Sequence, residues 1–432
     1  MLSSEFIREN PEKVRQAARD KQLDPKVVDR WLELDAKRRE TLTQVEKKRA
    51  LVNKNAQEIK MQVAKGGKPE TALVIRGKAI KSELKQLEQT LKTVEAEFAE
   101  ACLWIPNVPA DDVPVGPDES GNQVIKKVGT PRKFDFKVRS HAEVMEDLDW
   151  LDTKRAVKIG GFRTYMLRGE AVLLEQAILN YALKKLVDEG FTPMSAPSLV
   201  KHEAMVGTGY LPWGEQDHYY TQDEQILAGT AEVALTSFYQ GEVLRLKDLP
   251  VKMAGISPCF RREVGTHGKD TQGIVRVHQF NKVEQVVYTI ADEQETRRWH
   301  EKMLGFAESL LQDLGLPYQV LLMCTGDIGA GQRKKYDIES WFPAQNKYRE
   351  THSASYFNDF QSRRLNIKYQ DSDGKTRFVY TLNNTMAASP RLLACVVENY
   401  QQKDGSVVIP EVLRSYMGGI ERVSPKKAQN KG

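Results

Sequence analysis

Cysteine is scarce in this chain of 432 residues. The four present, Cys102, Cys259, Cys324 and Cys395, lie more than 60 residues apart. No pair has zinc-ligand spacing, and so few in so long a chain exclude a disulfide scaffold. A reducing, cytoplasmic compartment is therefore expected. Long apolar runs are also missing. None approaches the roughly 20 residues that a membrane-spanning helix needs, so no membrane partner is expected. The first residues, Met1 to Gln16, are polar and charged from Ser3 onward. They lack the apolar stretch of a signal peptide and are too acidic for a transit peptide. The common catalytic signatures are absent as well: no GxxxxGK[ST], no GxGxxG after a strand, no GxSxG and no HExxH. Each absence removes one enzyme class from consideration. What is present is 40% apolar and 28% charged residues, enough for a folded core in two or three domains.

The net charge of +5 is unevenly spread. Residues 1–110 hold 22 Lys and Arg against 17 Asp and Glu, which accounts for all of it. The remainder is balanced at 42 of each sign. Lys60, Lys65, Lys68, Arg76, Lys78 and Lys81 crowd one stretch with a single acid, Glu70. A basic tip on a neutral body points to a polyanion partner; a solvated helical face is the plainer alternative.

That stretch sits between two heptad stripes. Ile80, Leu84, Leu87, Leu91, Val94 and Phe98 recur at alternating spacings of four and three. Leu42, Val45, Val52, Ala56, Ile59 and Val63 form the first stripe, broken once by Arg49. Lys65-Gly-Gly-Lys-Pro69 separates them. The pattern predicts an antiparallel coiled-coil hairpin with arms of about 50–60 Å, with a dimerisation coil as the alternative. Ile105-Pro-Asn-Val-Pro109 ends the second helix. Residues 111–130 are rich in Pro, Gly and acids and read as a linker. From about Pro131 the pattern changes. Strand-like runs at Gln225–Leu227, Gly273–Val277, Val283–Ile290, Gln319–Cys324 and Arg377–Leu382 mix with helical stretches at 168–189, 293–314 and 390–401. There is no regular βαβ alternation, so the expected class is α+β on a mainly antiparallel sheet with flanking helices. Apart from the heptads no internal repeat is present, and the tail from Ser424 is polar.

Chemistry-bearing residues gather around Phe260-Arg-Arg-Glu263, a Gly-rich loop, and Ile274 to Glu284. Strand alternation would put Arg261 with Glu263 on one face, and Phe280 with Glu284 on one face. Arginine suits a pair of phosphate oxygens and Phe280 offers a stacking surface, so the groove could hold a nucleotide. A surface hairpin with cross-strand ion pairs fits the same residues. His278 reads as a structural histidine, and His267 lies in the Gly-rich loop.

Phe260-Arg-Arg-Glu263 with its loop resembles motif two of the class II aminoacyl-tRNA synthetases. Glu189-Gly-Phe-Thr-Pro-Met-Ser-Ala-Pro197 resembles motif one, and Ser389-Pro-Arg391 with the following helix resembles motif three. In this order and behind such a hairpin they are similar to the seryl-tRNA synthetase family, bacterial type. Gly229-Thr-Ala-Glu-Val233, Arg276 to Gln285, Thr325-Gly-Asp-Ile-Gly329, Asp359-Phe-Gln-Ser-Arg-Arg364 and Glu398 to Leu413 extend the likeness over nearly the whole chain, as does Ile7 to Val14.

The resemblance implies a tRNA-binding domain at 1–110, a linker at 111–130 and a class II catalytic domain at 131–432. It implies activation of L-serine with ATP to seryl-adenylate, with Mg2+, and transfer of serine to tRNA(Ser), with tRNA(Sec) as a second substrate in hosts that have it. It assigns catalytic roles to Arg261, Glu263 and Arg391. Arg261, Arg262, Glu263, Val277, Phe280, Glu350, Thr351, His352, Ser353 and Arg391 would hold ATP. Glu350 and Ser353 would hold the metal. Thr230, Ala231, Glu232, Arg261, Glu284, Asn383 and Thr385 would hold serine. The six basic residues of the tip would meet the tRNA, bound across the subunits of a cytoplasmic homodimer.

Two segments depart from the common family pattern. Thr351-His-Ser-Ala-Ser-Tyr356 replaces I-S-S-C-S-N, which introduces His352 and Tyr356 beside the expected nucleotide site. Asn383-Asn-Thr-Met-Ala-Ala388 replaces N-G-S-G-x-A. Three rival readings are a relative that loads a carrier, a non-catalytic paralogue that binds RNA or acts as a scaffold or regulator, and a coiled-coil interaction protein with an inert body. Retention of Arg261, Glu284, Arg391 and a full hairpin argues against the first two, and the arginine and carboxylate set of the body argues against the third.

Overall fold

The computed structural model describes residues 1–264 and 273–425. His267 and the last residues of the tail lie outside them. Residues 2–19 and 23–106 form one compact unit; Asn107 onward, with Met1 and 20–22, forms the other.

The first unit is helical. Helices Ser4–Glu9 and Pro11–Asp20 precede Lys26–Ala64, of 39 residues, and Thr71–Leu103, of 33. The long pair is antiparallel, because its cross-helix partners run in opposite directions. Arg30 pairs with Glu97 at 3.0 Å, Arg49 with Glu88 at 2.8 Å and Arg76 with Glu58 at 3.9 Å. Exposed pairs of this kind set register more than stability. At one end of the pair Trp31 is fully buried, its Nε1 donating to Cys102 Sγ at 3.2 Å and its ring 5.3 Å from Phe98. The expected first stripe needs one correction. Ala56 is exposed, and Asn55 takes the seam instead. Its Nδ2 donates to Leu73 O at 3.2 Å. A side chain at Gly77 would come within 2.6 Å of that nitrogen, so glycine permits the close crossing. Asn55 escaped the periodicity because an apolar template does not register a polar residue that donates across the seam.

The second unit is built on an eight-stranded sheet. Its strands are β1 (Gln123–Val128), β2 (Thr192–Ser195), β3 (Val251–Phe260), β4 (Gln279–Thr289), β5 (Tyr318–Leu322), β6 (Lys334–Phe342), β7 (Lys347–Asn358) and β8 (Tyr380–Ala388). They lie in the order β1-β5-β6-β7-β8-β4-β3-β2. Every pair is antiparallel except β2 with β3. Alternation then gives each strand two faces. Val283, Val287, Ile338, Tyr356 and Leu382 pack under helices Glu170–Asp188, Glu293–Asp313 and Ser389–Tyr400. On the other face Val286 and Tyr288 join Ala231, Leu235 and Leu365 in a second, smaller core. The same face carries Lys282, Glu284 and Thr385.

The stretch 111–130, expected as a linker, supplies a short 3-10 turn at Glu119–Gly121 and the edge strand β1. Gly273–Val277, expected as a strand, is irregular. β3 ends at Phe260, so Arg261 and Glu263 stand beyond the strand and alternation does not set their faces.

Candidate active site

Just past β3 the main chain stays paired with the residue that precedes β4. Arg261 N–H donates to His278 O at 2.9 Å, and His278 Nδ1 lies 2.9 Å from Arg261 O. Glu263 has a φ of +55°, a left-handed conformation that redirects its side chain. Its Oε2 is 2.7 Å from Arg276 Nη1 and 4.0 Å from Arg163. The guanidinium of Arg261 lies over the Phe280 ring, 5.3 Å from its centre, in a cation–π contact.

Arg391 enters from the first turn of Ser389–Tyr400, with Pro390 beside it. Its Nε donates to Val275 O at 3.1 Å. Its Nη1 reaches both Glu350 O at 2.9 Å and Glu350 Oε2 at 3.0 Å. Two adjoining clefts share Arg261, Glu263, Arg276, Glu350 and Arg391. The wider one holds about 460 Å³ and adds Tyr210, His218 and Gly229. The narrower one adds Val277, Phe280, Lys282, Thr351, His352, Ser353 and Thr385.

Glu350 and Ser353 are an odd number of residues apart. On a regular strand they would face opposite ways. A register shift leaves Thr351 as an extra residue, since Ile338 pairs with His352 and Glu339 with Glu350. The bulge brings Glu350 and Ser353 to one cleft. Burial alone would raise the Glu350 carboxyl, but the Arg391, Lys335 and Arg261 cations pull it down to about 2. Two oxygens, one firmly anionic, suit a hard divalent cation such as Mg2+. Among the described residues no cluster of three His, Cys, Asp or Glu side chains could cage a metal. Such an ion would draw its other ligands from substrate phosphate and water.

Behind Arg261 lies a buried polar chain. Tyr210 OH donates to Glu232 Oε2 at 2.6 Å, Gln361 Nε2 donates to Glu232 Oε1 at 2.9 Å, and Thr381 Oγ1 donates to Gln361 at 2.6 Å. Burial raises the Glu232 carboxyl, and the Tyr210 hydrogen bond works against that rise. Thr230 Oγ1 accepts Glu232 N–H at 3.2 Å. Lys282 Nζ pairs with Glu284 Oε2 at 2.5 Å, both buried.

Several expected residues stand elsewhere. Arg262 is exposed and lines neither cleft; its Nη1 donates to Gln216 O at 3.1 Å. Ala231 packs in the smaller core. Asn383 is buried outside both cleft linings. His352 lines the narrower cleft, but its ring bonds Thr351 Oγ1 at 2.9 Å and Met386 O at 3.1 Å. Burial brings it down to about 4. Tyr356, expected beside the nucleotide, instead packs into the main core against His300, ring centres 5.1 Å apart. The six basic residues between Lys60 and Lys81 are all exposed.

Sequence reasoning missed Tyr210, Gln361, Asp337 and His218. Asp337 is buried 2.9 Å from Lys335 Nζ, and burial pushes it up to about 7 despite that cation. His218 is buried, and neither ring nitrogen has a hydrogen-bond partner. No local chemistry marks them as site residues. Only the fold brings Tyr210 and His218 to the cleft of Arg261, Gln361 to Glu232, and Asp337 to Lys335.

Comparison with known proteins shows the family. Residues 1–109 match the seryl-tRNA synthetase N-terminal domain. Residues 215–400 match the tRNA synthetase class II core domain of the G, H, P, S and T enzymes. A serine–tRNA ligase of Deinococcus radiodurans is 44% identical over 98% of both chains. The chain belongs to the seryl-tRNA synthetases. A second relative, the serine–tRNA ligase of Thermobifida fusca, is 42% identical over 97% of this chain and 98% of its own. The seryl-tRNA synthetase of Pyrococcus horikoshii, solved with ATP, superposes with a TM-score of 0.92 at 38% identity, covering 99% of this chain and all of that one. The cytoplasmic serine–tRNA ligase of Naegleria fowleri, solved with AMP, gives 0.86 at 34% identity over 96% of each. As a seryl-tRNA synthetase the chain is an ATP-dependent ligase.

Proposed function

We propose that the chain activates L-serine with ATP, releases pyrophosphate, and passes the seryl group to the 3′ end of tRNA(Ser). The observation that carries this reading is the convergence of Arg261 and Arg391 on one cleft, backed by the buried carboxylates Glu232 and Glu284. A carboxylate substrate is already a nucleophile, so the first step needs no protein base. It needs cations placed where charge builds on the α-phosphate, and a preorganised guanidinium there stabilises the transition state more than the ground state. Arg261 takes that role and Arg391 holds the far phosphates. Glu263, fixed by Arg276, faces the base, and Phe280 lies beside it. Glu350 and Ser353 hold Mg2+, which neutralises phosphate charge when bound.

Glu232 and Thr230 receive the serine ammonium; Glu284 and Thr385 receive its hydroxyl. Buried groups left unpaired by alanine reject it strongly. Threonine is refused by size, and one methyl is worth only about 1–3 kcal/mol. The basic residues between Lys60 and Lys81 meet RNA phosphate, with tRNA(Sec) accepted by the same surface. The working form is a cytoplasmic homodimer with the tRNA spanning both subunits. Ile159, Phe162, Met166 and Leu173 support a second copy: all are exposed, Ile159 at 76%, and Ile159 and Met166 line a 600 Å³ groove. Light scattering should give twice the chain mass.

The test is amino-acid-dependent ATP–pyrophosphate exchange with serine, threonine, alanine and cysteine. Exchange with serine alone supports the reading. Exchange with another amino acid keeps the chemistry and overturns the pocket. No exchange with any of them, in folded protein with Mg2+, would mark the site as retired.

A further inference from the structure

A buried pair outside the substrate-facing residues touches the ATP cleft indirectly. His141 opens helix His141–Asp147 at 3% exposure, and Glu398 lies fully buried late in Ser389–Tyr400. His141 Nδ1 is 2.8 Å from Glu398 Oε1, which also accepts His141 N–H at 3.1 Å. Glu398 Oε2 accepts Ala344 N–H at 3.1 Å. Three N–H groups thus satisfy a carboxylate shut away from water.

The other ring nitrogen, Nε2, accepts Ile274 N–H at 3.2 Å. A backbone N–H can only donate, so Nε2 bears no proton and the ring proton sits on Nδ1, facing Glu398. The next residue, Val275, offers its carbonyl to Arg391 Nε at 3.1 Å. Two successive residues, Ile274 through its N–H and Val275 through its C=O, are therefore held from two sides, one by His141 and one by Arg391. Gly273 makes this approach possible. Its φ is +73°, and a Cβ there would fall 2.0 Å from His141 Nε2.

We propose that His141 and Glu398 form a positioning dyad for the ATP site: Glu398 fixes one imidazole tautomer, the imidazole pins Ile274, and the pinned backbone sets Arg391. Neither residue touches substrate. The inference rests on the reading of Arg391 as a phosphate-binding group. A purely structural role, joining two helices, predicts a loss of stability without a selective loss of ATP affinity.

Two substitutions in the full-length chain separate these roles. The amide of His141→Asn overlays Nδ1 and keeps the donor to Glu398, but does not reach Ile274. In His141→Gln the amide oxygen can take the place of Nε2 and accept Ile274 N–H. Calorimetry with ATP, exchange kinetics and hydrogen–deuterium exchange over residues 273–277 are the readouts. For His141→Asn the expected result is a KM and a Kd for ATP raised about tenfold, a serine KM within about twofold, and faster exchange at Ile274. His141→Gln recovers most of the ATP affinity. Equal ATP affinity in all three proteins, or ATP and serine KM values rising together, would overturn the dyad. Wild-type protein that binds ATP without serine-dependent exchange would sink the serine reading alone. The ratio of ATP Kd values then still decides the dyad.

Discussion

Glu350 and Arg391 bind each other twice. One guanidinium nitrogen lies 2.9 Å from the Glu350 carbonyl and 3.0 Å from its carboxylate. The arginine is thereby oriented before any phosphate arrives, and the carboxylate stays charged. Lysine lacks the planar fork and cannot also reach Val275 O. Arg391→Lys should lower serine-dependent pyrophosphate exchange by about 10²–10³-fold with little change in melting temperature. An exchange rate within threefold of wild type would remove Arg391 from the transition-state machinery.

Tyr210 donates one of the two side-chain hydrogen bonds that Glu232 accepts. Tyr210→Phe leaves the carboxylate with Gln361 alone and weakens the site expected to receive the serine ammonium. The serine KM should rise about tenfold while the ATP KM holds. Initial-rate kinetics with each substrate varied in turn checks this split.

Acid should destabilise the second unit through its buried histidines. Burial brings His300 and His352 down to about 4, from an ordinary 6.5. The unfolded chain then takes up protons that the folded one refuses, so stability is complete above about pH 6.5 and falls as pH drops toward 4. By linkage each histidine removes about 2 kcal/mol between pH 7 and pH 5. His300 Nε2 donates to Ala354 O at 2.9 Å, with Lys334, Asp112 and Arg297 nearby. His300→Gln keeps a donor for that carbonyl. Denaturant titrations at the two pH values should show its acid loss reduced by about half.

Deleting residues 35–97 should spare pyrophosphate exchange and abolish tRNA charging, because every cleft-lining residue lies beyond Asn107. Loss of both activities together would show that the hairpin also supports the adenylation site.

The heptads at Ile80 to Phe98 reported the hairpin because a repeating apolar stripe is a local signal that needs only one partner. Arg261, Glu350 and Arg391 were legible as residue types in a motif order. Their geometry was not. Strand alternation is not what sets Glu263: it lies beyond the strand, and its left-handed backbone turns it toward Arg276. Tyr356, expected beside the nucleotide, packs against His300.

By itself the sequence determined the two-part organisation, the basic hairpin, the α+β class and the family, because periodicity, charge and ordered motifs are written along the chain. The tertiary structure alone decided which side chains share the cleft. The Thr351 bulge put Glu350 and Ser353 on one side, and chain crossings brought Tyr210 to Glu232 and His141 to Ile274. These contacts join residues 22 to 133 positions apart, and no local pattern encodes the register or turn that closes such distances.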